Sequence, residues 1–430
     1  MKFIYQDLLR FLKEQPSKAA LSEKLFQLGH EHDIDGEIFD MEITPHRGDC
    51  LSLFGLSRDL NYFYNSIDPF EIYNEDLDLL DLNFKNLSIT SCPKITFLEI
   101  EIDEKISSYK PYLENYFSQL GNKKTNFFSD ISNYISYERG QPTHCFDKKS
   151  ITKDLTFTNK LCDEKFKTLL GKEIQLEGEN CVFTSSGEVV SLAGIMGGES
   201  TSCSENTREV LVECAFFNPE AIIGKSVKYN LKSDAAHKFE RGVDIEAQEK
   251  VLRRFISVVK DHAVIKKLSM KTFISGNFNK KCLPIKIDKI NRILGTKLSK
   301  EQYISFLNKL GFEIDDEIKV PSFRNDVASQ NDLSEEVARI IGYDNIKSIP
   351  LSLKSRSQLK LDKISKIKDF LIENSFNEVI NMPFTDIEEK KSIFIDNPLD
   401  SNRRNLRTSL KSSLVENLLF NERRQKDSIK

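Results

Sequence analysis

Residues 173–198, EIQLEGENCVFTSSGEVVSLAGIMGG, have the pattern of a strand, a turn, a second strand and a glycine-rich segment. Earlier in the chain, residues 94–102, KITFLEIEI, alternate between apolar and polar in the manner of a strand. Residues 247–264, AQEKVLRRFISVVKDHAV, have the apolar spacing of a helix. Strands and helices are therefore mixed over residues 93–270, and we predict an α+β protein with several domains.

The pattern changes along the chain in a way that predicts four domains. Residues 66–92 are acidic and weakly patterned, and residues 349–358 are short and polar, so both predict linkers. Ser299 and Gly311 have the spacing of a helix N-cap and C-cap in the third domain. The predicted domains are 1–65, 93–270, 277–348 and 355–430.

Composition and charge exclude several classes of protein. The chain has 430 residues, 62 Lys and Arg against 66 Asp and Glu, and a net charge of −4, so it lacks a global basic footprint for nucleic acid. It has no apolar stretch long enough to span a membrane, and its first residues, MKFIYQDLLRFLKEQPSK, do not resemble a secretory signal. Its eight cysteines form no CxxC pair. We therefore expect reduced thiols and a cytoplasmic protein.

An acidic cluster surrounds the start of a predicted helix in the stretch VPSFRNDVASQNDLSEEVARIIGYDNI, residues 320–346. Asp326 precedes the helix, and Asp332, Glu335 and Glu336 share one face of its first turns. Oxygen ligands of this kind suit Mg²⁺. The alternative is structural, because acids stabilise a helix N-terminus and Glu336 can pair with a downstream arginine.

Two further motifs carry residues able to do chemistry. In SNYISYERGQPTHCFD, residues 132–147, a predicted turn presents His144, although a lone histidine is more often structural. In SLAGIMGG, Gly194 and Gly197 permit close approach of the backbone to a ligand, or form a tight turn. The glycines do not follow the strand–GxGxxG–helix arrangement of a dinucleotide site.

A buried carboxyl group is predicted in the strand VLVECAFF, residues 210–217. Glu213 lies there among apolar neighbours, which costs several kcal/mol unless the group is paired or functional. Downstream, the small residues Ser233 and Ala235 could form the floor of a pocket.

Taken in order, these motifs resemble the family of bacterial phenylalanyl-tRNA synthetase beta subunits. The resemblance covers almost the whole chain and implies an editing module, a small winged-helix-like domain and a partial antiparallel synthetase-like domain. It is carried by the following stretches: ITPHRGDCLSLFGLSRDL (43–60), ERGQPTHCFD (138–147), SLAGIMGG (191–198), VECAFFNP (212–219), SDAAHKFERGVD (233–244), residues 320–346, and NPLDSNRRNLRTSLKSSLVENLLFNERR (397–424).

The chain departs from the family pattern in two places. Where the family has an inserted oligonucleotide-binding barrel, only HEHDID, residues 30–35, precedes the next strand. The sequence also stops within the synthetase-like domain, before the family's C-terminal module. We therefore expect a truncated or reduced member with fewer contacts to tRNA.

The resemblance implies an α₂β₂ heterotetramer in which the alpha subunit uses ATP to attach phenylalanine to its tRNA. The beta subunit would bind tRNA, share Mg²⁺ with the alpha subunit and hydrolyse mischarged tyrosyl-tRNA, and a conservative Ser132 stands where the family usually has threonine. The implied residues are His144 and Glu213 for editing, Asn133, Gly197, Ser233 and Ala235 around the amino acid, and Asp326, Asp332, Glu335 and Glu336 for the metal.

Two alternatives remain open from the sequence. The chain could be a non-catalytic scaffold that binds the alpha subunit and RNA, or a free-standing deacylase of aminoacyl-tRNA. Retention of His144 and Glu213 favours editing, and retention of the acidic cluster favours binding of an alpha subunit.

Overall fold

The structure is a computed structural model that describes residues 1–151, 154–276, 280–348, 350, 363–426 and 428–430. The chain divides into two units, Met1–Ile349 and Pro350–Lys430. The division lies beside the predicted linker at 349–358, of which residue 350 alone is described. The first residues of the predicted domains at 277 and 355 also lie outside the described residues, so those two boundaries stay predictions.

The first 65 residues form a small sheet with helices. Ser17 caps the second helix, accepting a hydrogen bond from the Ala20 amide. Residues 31–35, at the place where the family has its barrel, form a strand that pairs with the next one in a hairpin. The elements are β1 (Lys2–Ile4), α1 (Tyr5–Leu9), α2 (Lys18–Gln27), β2 (Glu31–Asp35), β3 (Ile38–Glu42), α3 (Leu53–Asp59) and α4 (Asn61–Tyr64). The sheet order is β1-β3-β2.

The middle of the chain contains two five-stranded sheets. The elements are β4 (Asp78–Leu79), β5 (Asn83–Asn86), β6 (Lys94–Ile102), α5 (Pro111–Leu120), α6 (Phe127–Arg139), β7 (His144–Asp147), β8 (Asp154–Lys167), β9 (Glu173–Ser185), β10 (Glu188–Leu192), β11 (Met196–Gly197), β12 (Glu209–Phe216), α7 (Pro219–Ile222), α8 (Lys225–Lys228), α9 (Asp234–Phe239), α10 (Gln248–Lys260) and β13 (Ile265–Ile274). One sheet has the order β4-β13-β6-β12-β7 and the other β11-β10-β9-β8-β5. The two strands of the linker, β4 and β5, join one sheet each, so this segment belongs to the domain that follows it.

Strand β12 lies between two hydrophobic cores. Val212 and Cys214 belong to the core that also contains the N-terminal helices, whereas Leu211 and Ala215 belong to the core beneath the second sheet. Successive side chains of a strand point to opposite faces, so Glu213 faces the second core.

Residues 280–348 fold as three helices with a small sheet of order β14-β16-β15. The elements are β14 (Cys282–Pro284), α11 (Ile287–Leu294), α12 (Lys300–Lys309), β15 (Glu313–Ile314), β16 (Glu317–Lys319) and α13 (Gln330–Ile341). Ser299 begins α12 with a capping box, in which its side chain and that of Gln302 each bond the backbone amide of the other residue. The predicted helix start is thus confirmed.

Asp59, at the end of α3, is the centre of a buried ion-pair network that connects the N-terminal residues to α13. Its carboxylate oxygens lie 2.8 Å from His30 Nε2, 2.9 Å from Arg47 Nη2 and 2.6 Å from Arg339 Nη2. In the described part of the chain, His30, Cys50 and Asp59 are also the one group of three potential metal ligands within 4.8 Å of one another. Arg47 Nη2 lies 2.9 Å from Cys50 Sγ as well, so a guanidinium already occupies this position.

The second unit has almost no interior of its own. Its elements are α14 (Lys363–Glu373), β17 (Phe384–Thr385), β18 (Ile393–Phe394), β19 (Asn405–Leu406) and α15 (Lys411–Glu422). Among its described residues Asn405 alone is buried, while Phe370, Ile380 and Phe420 are 63 %, 99 % and 54 % exposed. Apolar surface on this scale is typical of a surface that another chain or segment covers.

Candidate functional site

Strands β7 and β12 bring His144 and Glu213 side by side. The two residues are direct register partners in the antiparallel pair, so their side chains lie on the same face of the sheet. They line one small pocket together with Gly194, Gly197 and Ala235. The structure therefore gathers four of the six residues expected around an editing pocket.

Gly197 is required by the shape of this pocket. A Cβ atom at this position would lie 2.8 Å from His144 Nε2 and 2.8 Å from Leu169 Cδ1, closer than real contacts allow. The pocket has a volume of about 60 Å³, smaller than the about 300–1,000 Å³ of typical ligand sites. An amino-acid side chain can therefore enter only if the residues around the pocket move. Leu169, whose Cδ1 lies beside Gly197, is 40 % exposed.

Burial gives the two central residues unusual protonation. It raises the pKa of Glu213 to about 8 and lowers the pKa of His144 to about 4. Burial is the one influence on the Glu213 carboxyl, which has no hydrogen bond or ion pair within the described residues to offset it, and His144 Nε2 is buried without a partner. At neutral pH both side chains are therefore mostly uncharged, with hydrogen-bonding capacity to offer a ligand.

We expect Glu213→Gln to reduce the loss of stability at alkaline pH. In the folded protein the pKa of Glu213 is about 8, above the ordinary value of 4.5, so the unfolded chain releases this proton at lower pH. The wild-type protein therefore loses unfolding free energy as the pH rises from about 4.5 to about 8. Relative to the variant, wild type should lose about 3–4 kcal/mol of unfolding free energy between pH 5 and pH 8.5. Urea unfolding at both pH values measures this difference.

Glu99 is the matched control for that experiment. It is equally buried on the neighbouring strand β6, but Lys267 and Lys148 outweigh the effect of burial and lower the pKa of its carboxyl. The ionised Glu99 carboxylate therefore stabilises the fold, and we expect Glu99→Gln to lower the free energy of unfolding above pH 4.5, the opposite of the effect expected for Glu213→Gln. Parallel stability curves for Glu213→Gln and wild type would contradict the protonation assigned to Glu213.

The structure places the two other expected pocket residues differently. Ser233 is the N-cap of α9, and its hydroxyl accepts a hydrogen bond from the Ala236 amide. The same hydroxyl donates to the Ile195 carbonyl 2.8 Å away. Its hydrogen bonds therefore connect α9 to the pocket residue Ile195, and they occupy the hydroxyl that was expected to contact the amino acid. Asn133 is exposed on α6 and lines a separate cavity with Tyr116 and other residues. The expectation that Asn133 surrounds the same pocket is not supported by this geometry.

Sequence reasoning missed Thr143, which lies in the pocket wall beside His144. Its Oγ1 lies 2.8 Å from Ser132 Oγ, and Ser132 also donates to the Thr143 carbonyl over 2.6 Å. These bonds tie α6 to the turn that carries His144. Adjacency to His144 in sequence was the only signal for Thr143.

The acidic cluster at α13 is divided between structural roles. Arg324 donates to both carboxylate oxygens of Asp326, from Nε at 2.9 Å and from Nη2 at 2.7 Å. It also donates to both carboxylate oxygens of Glu336, from Nη1 and Nη2 at 2.8 Å each. Asp332 accepts hydrogen bonds from the Ser329 amide and hydroxyl and completes the helix cap. Glu335 is exposed.

These contacts test how well the acids fit a metal ion. The all-oxygen donor set suits Mg²⁺, and Glu335 and Asp332 are exposed or half-buried. Asp326 is half-buried, and both its carboxylate oxygens already bind Arg324. Glu336 does not fit, because it is buried and both its oxygens bind Arg324. Burial would raise the pKa of Glu336, but Arg339 and Arg324 outweigh it and lower the value to about 2, so the carboxylate is held as half of an ion pair.

Comparison with protein families divides the chain into three matched regions. Residues 92–264 match the model described as B3/4 domain, residues 283–343 match the tRNA synthetase B5 domain, and residues 348–430 match the phenylalanyl tRNA synthetase beta chain CLM domain. The pocket lies in the first region and the acidic cluster in the second. No helix among the described residues is long and apolar enough to cross a membrane.

Several curated proteins are similar over most of this chain. The phenylalanine–tRNA ligase beta subunits of Photorhabdus laumondii and Psychrobacter arcticus are 28 % and 29 % identical over 92 % of the chain, which covers 52 % of each. The chain thus spans about half the length of these relatives. A crystal structure of an N-terminal fragment of the phenylalanyl-tRNA synthetase beta subunit from Pyrococcus horikoshii aligns with a TM-score of 0.44 at 14 % identity, covering 79 % of this chain and 99 % of that one. The three family models and the curated relatives agree, and this chain belongs to the phenylalanyl-tRNA synthetase beta-subunit family.

Proposed function

We propose that the chain acts as a beta subunit of phenylalanine–tRNA ligase and hydrolyses mischarged tyrosyl-tRNA in the pocket lined by His144 of β7 and Glu213 of β12. The observation that carries this proposal is the unpaired, buried carboxyl of Glu213 beside the unpartnered Nε2 of His144. A buried polar group without a partner is costly in a fold, and a ligand that bonds to it recovers that cost.

Discrimination between tyrosine and phenylalanine follows from the same carboxyl group. With its pKa at about 8, Glu213 carries a proton at neutral pH and can both donate to and accept from a phenolic hydroxyl. Phenylalanine lacks that hydroxyl and leaves the buried carboxyl unpaired. A site built to bond a hydroxyl rejects the analogue without it by a large factor.

The experiment is deacylation of tyrosyl-tRNA and phenylalanyl-tRNA by the full chain with an alpha subunit. We expect wild type to hydrolyse tyrosyl-tRNA preferentially and Glu213→Ala to lose most of that preference. Glu99→Ala is the control, since it removes a buried carboxyl from the adjacent strand but not from the pocket. Equal hydrolysis of both tRNAs by wild type would refute selective editing.

We also propose an alpha subunit as partner, in an α₂β₂ assembly that uses ATP as substrate and binds tRNA. The support is the second unit, whose described apolar side chains lie mostly on the surface. If the complex forms but no tyrosyl-tRNA is hydrolysed, the scaffold alternative is favoured. If the chain hydrolyses tyrosyl-tRNA without a partner, the free-standing deacylase is favoured.

Mg²⁺ shared with the alpha subunit would be held by Glu335 and Asp332, since Arg324 occupies both oxygens of Asp326 and of Glu336. We expect Glu335→Ala to weaken alpha-subunit association by about tenfold and to reduce its dependence on Mg²⁺, with little change in stability because the side chain is exposed. Analytical ultracentrifugation with and without a chelator measures this. Glu301→Ala, an acid in the first turn of α12, is the control. Unchanged association in both conditions would leave the acids as helix-end charges.

A further inference from the structure

A second and larger cavity lies away from the editing pocket, where three parts of the first unit meet. Its volume is about 340 Å³, within the about 300–1,000 Å³ typical of small-molecule sites. Phe54 and Arg58 of α3, Gln141 after α6, Val251 of α10 and Phe323 before α13 line it. None of these residues takes part in the function proposed above.

Gln141 presents an unsatisfied hydrogen-bond acceptor in the wall of this cavity. The side chain is 2 % exposed, and its Nε2 donates to the carbonyls of Ala215 at 2.9 Å and Pro142 at 3.2 Å. Because both partners are acceptors, the orientation of the amide is fixed and Oε1 is left without a donor among the described residues. Buried polar atoms of this kind are rare in folded proteins.

Arg58 presents an unsatisfied donor and has no carboxylate hydrogen-bonded to it among the described residues, although the Asp49 and Asp244 carboxylates lie near enough to act on its charge. Its Nε is buried without a partner, and its one hydrogen bond within the described chain runs from Nη2 to the Asp49 carbonyl at 3.3 Å. The Asp49 carboxylate is already bound by Arg47 at 2.9 and 3.0 Å. The guanidinium lies over the Phe323 ring at 3.8 Å, and burial lowers the pKa of Arg58 against the opposing effect of the Asp49 and Asp244 carboxylates.

The neighbouring cations differ from Arg58 in having carboxylate partners. Arg139 binds Asp68 through two bonds of 2.7 and 2.9 Å, and Lys250 lies 3.7 Å from the same carboxylate. Arg58 is therefore the cation of this cavity whose charge an incoming anion would pair with. The apolar surface of Phe54 and Val251 is suited to a non-polar body rather than to an inorganic anion.

We propose that this cavity binds a small organic carboxylate with an apolar body and an N–H donor, of which a free α-amino acid is the simplest kind. The carboxylate pairs with Arg58, the ammonium donates to Gln141 Oε1, and the side chain packs against Phe54. Each unsatisfied atom gains a partner of the opposite kind.

Isothermal titration calorimetry of the full chain with three related probes tests the assignment. L-phenylalanine has the carboxylate, the ammonium and the ring, 3-phenylpropanoate lacks the ammonium, and phenethylamine lacks the carboxylate. We expect affinity to fall in that order, with no detectable binding of phenethylamine. Arg58→Gln should weaken both carboxylates at least tenfold, because hydrogen bonds to charged groups are the stronger ones. Gln141→Met should weaken L-phenylalanine but leave 3-phenylpropanoate unchanged.

Two controls keep the result independent of folding and of the editing pocket. Ala247→Met adds volume at the half-exposed rim of the cavity and keeps Arg58 and Gln141, so it should abolish binding while the melting temperature is maintained. Glu213→Gln should leave the affinity of all three probes unchanged. Absence of binding to wild type, binding of phenethylamine as strong as that of L-phenylalanine, or loss of binding in Glu213→Gln would each overturn the proposal.

Discussion

Replacing Asp59 by alanine is expected to lower the free energy of unfolding of the first unit by about 3–5 kcal/mol, the cost of breaking a buried ion pair from one side. Asp59 is 4 % exposed and holds His30, Arg47 and Arg339 at the same time. Without Asp59, the buried guanidinium groups of Arg47 and Arg339 each lose a carboxylate partner. Urea unfolding followed by circular dichroism at pH 7 measures the change.

A surface acid provides the comparison for this prediction. Asp40 is half-exposed and lies 3.5 Å from Lys2, and exposed pairs of this kind contribute at most about 1 kcal/mol. Burial would raise the pKa of Asp59, but Arg339 and Arg47 outweigh it and hold the pKa well below its usual range. The stabilisation is therefore present above about pH 4 and is lost on further acidification. Equal costs for Asp40→Ala and Asp59→Ala would show that the network contributes little.

Replacing His144 by alanine is expected to slow hydrolysis of tyrosyl-tRNA about 100-fold, at the lower end of the 10²–10⁴ range for positioned acid–base groups. With a pKa of about 4, the imidazole is neutral at pH 7 and is a weak base. In the proposed editing reaction, its unpartnered Nε2 would hold the attacking water or a hydroxyl of the terminal ribose. Single-turnover deacylation at pH 7 measures the rate.

His46→Ala is the matched control for this variant, since His46 is exposed and does not line the pocket. We expect it to retain the wild-type rate. The His144→Ala variant should also keep its preference for tyrosyl-tRNA, because the proposed contact to the phenolic hydroxyl belongs to Glu213. An unchanged rate in His144→Ala would assign hydrolysis to other groups.

Local signals in the sequence predicted much of the fold. Period-two alternation located β6 at its observed ends, Lys94 and Ile102. Gly121 ends α5 with a left-handed backbone (φ 66°), a conformation that glycine adopts readily. The strand at 31–35 was not predicted, because EHDID is polar and the strand owes its existence to pairing with β3. The apolar spacing of residues 51–64 is typical of one helix, whereas the structure divides this stretch into α3 and α4.

The candidate site was predictable only in so far as its residues carry a local pattern. Glu213 was found because a carboxyl in an apolar strand conflicts with its neighbours, and the conflict marks the pocket. Asn133 was expected from the family resemblance alone, and on α6 it lines a different cavity from His144 and Glu213. The role of Arg324 in binding Glu336 is set by tertiary packing, and the sequence predicted only a nearer arginine as its partner.

The network around Asp59 also determines how the gene can be divided. Arg339 lies 280 residues from Asp59, and Gln27 donates to the carbonyls of Arg339 and Ile340 at 3.1 Å. Segments distant in sequence thus share one set of buried charges. A recombinant fragment or a chimaera between relatives should carry residues 1–65 and 280–348 from the same parent, because a mismatched pair would leave guanidinium groups buried without counter-charges.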